Sequence, residues 1–442
     1  MQIPVAVRSV LDRLNRCGYK AYVVGGCVRD ALLGRTPADW DVATCASPDE
    51  VLTVFSDIRT IETGIKHGTV TVLVDGQPIE ITTFRIDGTY TDHRRPDKVE
   101  FTHSLREDLA RRDFTVNAMA YHPQKGLIDP FGGQADLQAK VLRCVGNPVL
   151  RFKEDALRIA RAVRFAAVLG FTLDPLTDRA VRSGVTQLYN IAAERLAVEL
   201  RKMLGGQYIK EAMLAYPEVV CTLLPELKDT VNFAQPSRYH SYDVYTHTAV
   251  CVQNAPADDP YLRLAALLHD CAKPQFFSKD AQGGHFRGHP TGSARAAQTA
   301  MRRLRMDNRT IETVVTLILC HDEDIAETPS SLLGWLSRIG EENLYRLLAL
   351  KRADALAKAP EIAAEAVAEI DRQTALLGRI LSESPCYSLA QLAINGSDLC
   401  DIGISPGPMV GQILHALLEA VIDGRCPNQK DALLSAVKEI YR

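Results

Sequence analysis

Two aspartates, Asp39 and Asp41, flank Trp40 in the run TPADWDVATC. The β-branched residues around them predict a strand over 40–45, and side chains two apart on a strand share a face. Two carboxylates on one face bridge a pair of divalent cations, and Mg2+ suits carboxylate and phosphate oxygens. The chemistry such a pair serves is in-line attack on an α-phosphate with two-metal stabilisation. Glu80, in the second arm of a predicted hairpin, is a candidate third carboxylate. A lone Asp-x-Asp is weak evidence by itself, because acidic pairs are common at turns. Upstream, however, Gly25-Gly26 precedes a predicted helix that begins near Val28 and carries Arg29. Such a turn lets backbone amides approach a phosphate, and the guanidinium adds a charge-assisted contact.

The elements that must position these groups follow from local patterns. Residues 1–20 read as a helix, and 22–26 as a short strand ending in the Gly-Gly turn. The helix over 28–34 stops at Gly34. The helix over 47–55 has Ser47 as N-cap and Pro48 in its first turn. The stretch 67–85 is a hairpin around Asp75-Gly76. The polar region 86–105 reads as an exposed mobile loop. From about Leu137 onward the periodicity is mainly helical, with the polar stretch 228–241 as a candidate boundary. A small α/β head followed by a long helical body is the predicted organisation, an α+β fold.

Bulk composition agrees with more than one packed unit: 442 residues, 46% hydrophobic and 24% charged. No run approaches the ~20 apolar residues that span a bilayer. The N-terminus reads as an amphipathic helix without the apolar core of a secretory signal, so a cytoplasmic location is expected. None of the 11 cysteines falls in a Cys-x2-Cys pair, which argues against a disulfide framework and a zinc knuckle. The net charge of −3 conceals a basic stretch of Arg143, Arg151, Lys153, Arg158, Arg161 and Arg164 against only Glu154 and Asp155. Solvated helix faces would look the same as a phosphate-binding surface by composition alone.

The run GGCVRDALLGRTPADWDVAT (25–44) resembles the signature of the class II tRNA nucleotidyltransferase and bacterial poly(A) polymerase superfamily. The resemblance continues through RRDFTVNAMAY (111–121), IDPFGGQADLQAKVLR (128–143), EDALRIARAVRF (154–165) and AERLAVEL (193–200), five motifs in order over roughly the first 200 residues. It implies a polymerase-beta-like head in which Asp39 and Asp41 hold catalytic Mg2+, and Gly26, Arg29 and Arg112 contact the nucleotide. Asp155 and Arg158 match the pair that reads the incoming base. A carboxylate accepts from the exocyclic amino group of cytosine or adenine, a guanidinium supplies donors, and guanine or uracil leaves partners unmatched. Their three-residue spacing places them on one helical face, which Arg161 and Arg164, further candidate nucleotide-binding residues, continue; an ion pair on that face would need the same spacing. In the family, a loop with the spacing of Asp92 and Arg95 accompanies addition of the terminal A. The implied activity is addition of C, C and A to tRNA 3′ ends from CTP and ATP. The alternatives are an A-adding or CC-adding enzyme or a poly(A) polymerase.

A second constellation stands further on: His247, His269-Asp270, His289, His321 and Asp354. Burying an adjacent His-Asp pair is costly without a partner, and both groups ligate transition metals. The order resembles the HD metal-dependent phosphohydrolase superfamily. That implies His247, His269, Asp270 and Asp354 around one metal, with His289 and His321 supporting a second. A domain that only holds the body together or contacts RNA is the alternative, and a phosphohydrolase with an RNA-binding head is the rival reading of the whole chain. The expected division is a head (1–136), a neck and body (137–227), an HD region (228–360) and a helical tail that contacts tRNA (361–442).

Overall fold

The computed structural model describes residues 1–87, 99–236, 241–280 and 283–440. Contacts divide the chain into two units, Met1–Pro225 and Glu226–Arg442.

The first unit is built on a seven-stranded sheet. Its strands are β1 (Ala21–Val24), β2 (Asp41–Thr44), β3 (Thr60–Ile61), β4 (Thr69–Val74) and β5 (Gln77–Thr83). After a separate two-stranded pair, β6 (Arg85–Asp87) with β7 (Val99–Phe101), come β8 (Ala120–His122) and β9 (Gly126–Ile128). The spatial order is β3-β4-β5-β2-β1-β8-β9. β4 alternates as the period-two pattern requires, with Val70, Val72 and Val74 buried. Its hairpin with β5 closes at Asp75 and Gly76, both at positive φ (49° and 76°), the conformation a two-residue hairpin turn demands. The N-terminal helix Val5–Arg16 buries Ala6, Val7, Val10, Leu11 and Leu14 along one stripe. Ser47 caps the helix Pro48–Val54 in a reciprocal capping box with Glu50.

The region expected to be one loop is more structured. Val99–Phe101 pairs with Arg85–Asp87, and Leu105–Ala110 is a helix capped by Ser104. Asp92 and Arg95 lie outside the described residues.

The neck consists of the helices Pro148–Glu154, Leu157–Leu169 and Ala193–Leu204. Among the described residues, the second unit's regular structure is helical apart from the hairpin Ser278–Asp280 with Gly283–His285. Its tail cluster buries Leu399, Ile413, Leu417, Leu433 and Val437. No helix among the described residues is long and apolar enough to cross a membrane.

Candidate functional sites

In the first unit the Gly-Gly turn is set by close approach. Gly25 sits at φ 81° and ψ −133°, a region open essentially to glycine. A Cβ there would lie 2.7 Å from Nη1 of Arg112. The helix that follows, Gly26–Leu32, has only seven residues. Its short dipole makes the neighbouring guanidinium groups the larger source of positive potential. Arg29 is buried, donates through Nη1 to Asn117 Oδ1 (2.6 Å), and pairs through Nε and Nη2 with Asp30 (2.9 Å each).

β2 starts at Asp41, one residue later than the predicted 40–45, and Asp39 precedes it, so the shared strand face expected for the two aspartates does not form. The backbone enters the strand only at Asp41, where pairing with β5 begins; there Asp41 stands opposite Glu80 in parallel register. Burial raises the Asp41 carboxyl above its usual range, Arg112 opposes this, and the charges of Glu80 and Asp39 add to the rise. A carboxylate crowded by like charges and desolvated is a group that a divalent cation stabilises. Among the described residues, three or more ligand atoms within 4.8 Å of one another occur only in the second unit, so Asp39, Asp41 and Glu80 do not converge that closely.

Asp41 and Gly26 line a cavity of about 490 Å³ with eight cationic side chains: Arg29, Arg111, Arg112, Arg158, Arg161, Arg164, Arg195 and Lys202. Two further carboxylates line it, Asp113 and Asp155. This excess of positive charge, next to a carboxylate at the strand entry, fits a polyanion carrying a divalent cation.

The neck residues are arranged differently from the helical-face expectation. Asp155 is not on the helix of Arg158. It sits in extended conformation (φ −141°, ψ 101°) at the break after Pro148–Glu154, and the next helix starts at Leu157. The break turns Asp155 off the face its spacing predicts. One of its oxygens caps Leu157 N (3.1 Å), and the other accepts from Arg195 Nη2 (2.9 Å). Arg158 is held by Glu154 Oε2 (3.0 Å) and by the carbonyls of Arg151 (3.1 Å) and Arg111 (3.0 Å). Arg161 pairs with Asp113, and Arg164 pairs with buried Glu199 while lying 3.8 Å from the Phe165 ring centroid. Asp113, Asn117, Arg195, Glu199 and Lys202 carried no role in the sequence reading. The only signal for the first four was their place inside the motif strings, and Lys202 had none.

In the second unit, six residues from five separate stretches of sequence meet. His247 lies on the helix Val244–Asn254, and His269 and Asp270 end the helix Pro260–Leu268. His289 starts the helix His289–Arg303, His321 ends Asn308–Cys320, and Asp354 lies on Glu341–Ala355. Each imidazole is anchored through Nδ1 to a backbone carbonyl: Ala357 (3.2 Å), Ala266 (2.8 Å), Phe286 (2.8 Å) and Ile318 (2.7 Å), in that order. With Nδ1–H donated in this way, each Nε2 can ligate a metal once it carries no proton.

The two oxygens of Asp270 divide the cluster. Oδ2 lies 3.1 Å from His269 Nε2 and 3.7 Å from His247 Nε2, whereas Oδ1 lies 3.2 Å from His289 Nε2 and 3.8 Å from His321 Nε2. Asp354 Oδ1 completes the first side, 2.9 Å from His247 and 3.7 Å from His269. Neither His269 Nε2 nor either Asp270 oxygen makes an aligned hydrogen bond, although the Lys273 ammonium pairs with Asp270 Oδ2 at 2.6 Å. Three such donors at one point fit a cation better than they fit one another. Burial alone would lower His269, but Asp270 and Asp354 push it up to about 10. Burial and the charge on His269 push His321 down to about 3. Lys273 and Lys358 flank the carboxylates at 2.6 and 2.8 Å.

Comparison with known proteins matches the poly A polymerase head domain over residues 21–143, a probable RNA and SrmB-binding site of polymerase A over 170–229, and a putative second domain of tRNA nucleotidyltransferase over 290–437. The chain is 38% identical to a CCA-adding enzyme of Levilactobacillus brevis across 98% of this chain and 97% of that protein. It is 35% identical to one of Geobacillus thermodenitrificans, covering 98% and 96%. Among solved structures, a Bacillus stearothermophilus CCA-adding enzyme in complex with CTP superposes with a TM-score of 0.76 at 29% identity, covering 100% and 98%. A Thermotoga maritima CCA-adding enzyme complexed with tRNA shares the fold at a TM-score of 0.58 and 21% identity, covering 99% and 96%.

Proposed function

Since this chain belongs to the family of CCA-adding enzymes, we propose that it adds C, C and A to tRNA 3′ ends from CTP and ATP, without a nucleic-acid template and with release of pyrophosphate. The observation that carries the reading is the cavity in which Asp41 meets eight cationic side chains.

Asp39 and Asp41 would hold Mg2+, which would supply Lewis-acid activation of the tRNA 3′-hydroxyl and charge neutralisation at the leaving pyrophosphate. The chain's own residues do the rest. Arg29 and Arg112 hold the triphosphate by charge-assisted hydrogen bonds. Gly26 lets it approach the backbone, and Arg161 and Arg164 fix the neck wall through Asp113 and Glu199. Asp155 and Arg158 read the base, with Arg158 exchanging protein acceptors for those of cytosine or adenine. Asp92 and Arg95 belong to the element that extends the reaction to the terminal A. The four-part division of the chain and a cytoplasmic location complete this reading.

The test is incubation of purified protein and Mg2+ with tRNA transcripts ending before CCA, after C and after CC, supplied with CTP and ATP singly and together. Ordered growth to one CCA end, abolished by Asp39→Ala, is the expected result. Arrest at CC, growth from the CC end alone, or unlimited A addition would each replace it with the corresponding partial activity.

A second reading rests on the unaligned donors of the imidazole cluster. His247, His269, Asp270 and Asp354 would hold one divalent metal, His289 and His321 would support another, and the centre would serve phosphohydrolysis at RNA ends. Activity on 2′,3′-cyclic phosphates that survives combined His269→Ala and Asp270→Ala would refute it.

A further inference from the structure

Arg195 belongs to the last of the five motif strings, AERLAVEL, and the function so far gives it no task. It lines the same cavity as Asp41, Asp155 and Arg158. Its two terminal nitrogens behave differently. Nη2 donates to Asp155 Oδ2 at 2.9 Å across 40 residues of sequence, whereas Nη1 is buried with no hydrogen-bond partner.

Asp155 needs such a partner because it lies at a helix break, where no continuous helical backbone fixes its direction. Its other oxygen is already committed to capping Leu157 N. Two anchors, one per oxygen, define the plane of the carboxylate. A carboxylate offers about four lone-pair positions, so capacity remains for one more donor.

We propose that Arg195 is a positioning residue for nucleotide selection. It fixes the Asp155 carboxylate in the plane that accepts an exocyclic amino group. The proposal rests on the reading of Asp155 as a base-reading residue. A carboxylate held in this way accepts from the amino group of cytosine or adenine and opposes the carbonyl oxygen that uracil or guanine places there. A carboxylate free to rotate loses that geometric discrimination, and water or a turned carboxylate can then satisfy a uracil.

The test measures single-nucleotide incorporation onto a tRNA ending before CCA, with CTP and UTP compared, for the full-length wild-type protein, Arg195→Gln, Asp155→Ala and the double variant. The expected result is at least a tenfold fall in the CTP-to-UTP ratio of kcat/KM for Arg195→Gln, with the double variant no less selective than Asp155→Ala. Arg195→Lys keeps the charge but loses the two-nitrogen fork, and it is read in the same way if Arg195→Gln does not fold. Equal losses for CTP and UTP, with the ratio unchanged, would show a merely structural role and overturn the proposal. If Asp155→Ala lowers the ratio and neither Arg195 variant does, Asp155 reads the base without Arg195, and the proposal fails alone. If Asp155→Ala leaves the ratio intact, the base-reading assignment fails and the proposal falls with it.

Discussion

Asp113 and Arg161, 48 residues apart in sequence, meet where the head's RRDFTVN segment touches the neck helix: Nε and Nη2 of the arginine both donate to Asp113 Oδ2, at 2.9 and 2.6 Å. The other oxygen accepts from Phe114 N (2.8 Å) and from Asn117 Nδ2 (3.1 Å), and Asn117 in turn holds Arg29. A continuous chain of polar contacts therefore runs from the Gly-Gly turn to the neck. Asp113 is buried, whereas Arg161 is partly exposed and keeps Glu199 Oε1 at 3.5 Å, so removing the carboxylate costs less than breaking a fully buried pair, about 1–3 kcal/mol. Asp113→Ala should lower the unfolding midpoint of the first unit by several degrees and raise KM for both nucleotides, checked by calorimetry and initial rates.

The same carboxylate makes stability depend on acid. Burial acts to raise the Asp113 carboxyl, but the charge and hydrogen bonds of Arg161, with those of Asn117 and Phe114 N, outweigh it and hold the group far below the usual range. A depressed folded-state value contributes stability that is fully present above the unfolded carboxyl's ~3.9 and is lost as pH falls below it. Denaturant melts from pH 6 down to pH 3 should show a steeper loss for the wild type than for Asp113→Asn. Parallel curves would refute the assignment.

Gly25→Ala should damage nucleotide binding more than folding. The added methyl meets Arg112 Nη1 at 2.7 Å and sits at φ 81°, so the arginine must move off the position beside Asp41. A displacement costing about 1.4 kcal/mol weakens affinity roughly tenfold. Equilibrium binding of CTP should show it, with tRNA affinity little changed.

Asp41→Ala should remove transfer while sparing tRNA binding, because it leaves in place the eight cationic side chains that share its cavity. Loss of metal assistance worth several kcal/mol corresponds to about 10³-fold or more in rate. A variant that keeps even a tenth of wild-type incorporation would show that the catalytic cation is held elsewhere.

The imidazole cluster should bind a transition metal independently of nucleotide addition. Divalent manganese or zinc at about 100 times its dissociation constant should stabilise the second unit by roughly 2.7 kcal/mol. His269→Ala with Asp270→Ala should abolish the shift and leave CMP incorporation intact. An unchanged melting curve with added metal in the wild type would refute the site.

Some of this was legible along the chain because it is specified by local rules. The alternation of Val70, Val72 and Val74, the positive-φ turn at Asp75-Gly76 and the Ser47 cap each follow from a few neighbouring residues. The motif strings contain the Gly25 turn and the opening of a strand at Asp41, which are short-range features and legible for a similar reason. The strand Val99–Phe101 escaped notice because it is only three residues long and is stabilised by Arg85–Asp87, a partner the local pattern does not specify.

By itself the sequence determined which residue types are present and near which turns and helices they fall. Tertiary structure decided who pairs with whom. Asp155 has Arg158 three residues away, yet it bonds to Arg195, because the helix breaks between them and three-residue spacing implies a shared face only along an unbroken helix. His247 and Asp354 stand 107 residues apart and lie 2.9 Å from each other. Pairing at that separation depends on how helices pack, and packing is settled by the whole apolar surface of each helix, with the polar groups carried into place by it.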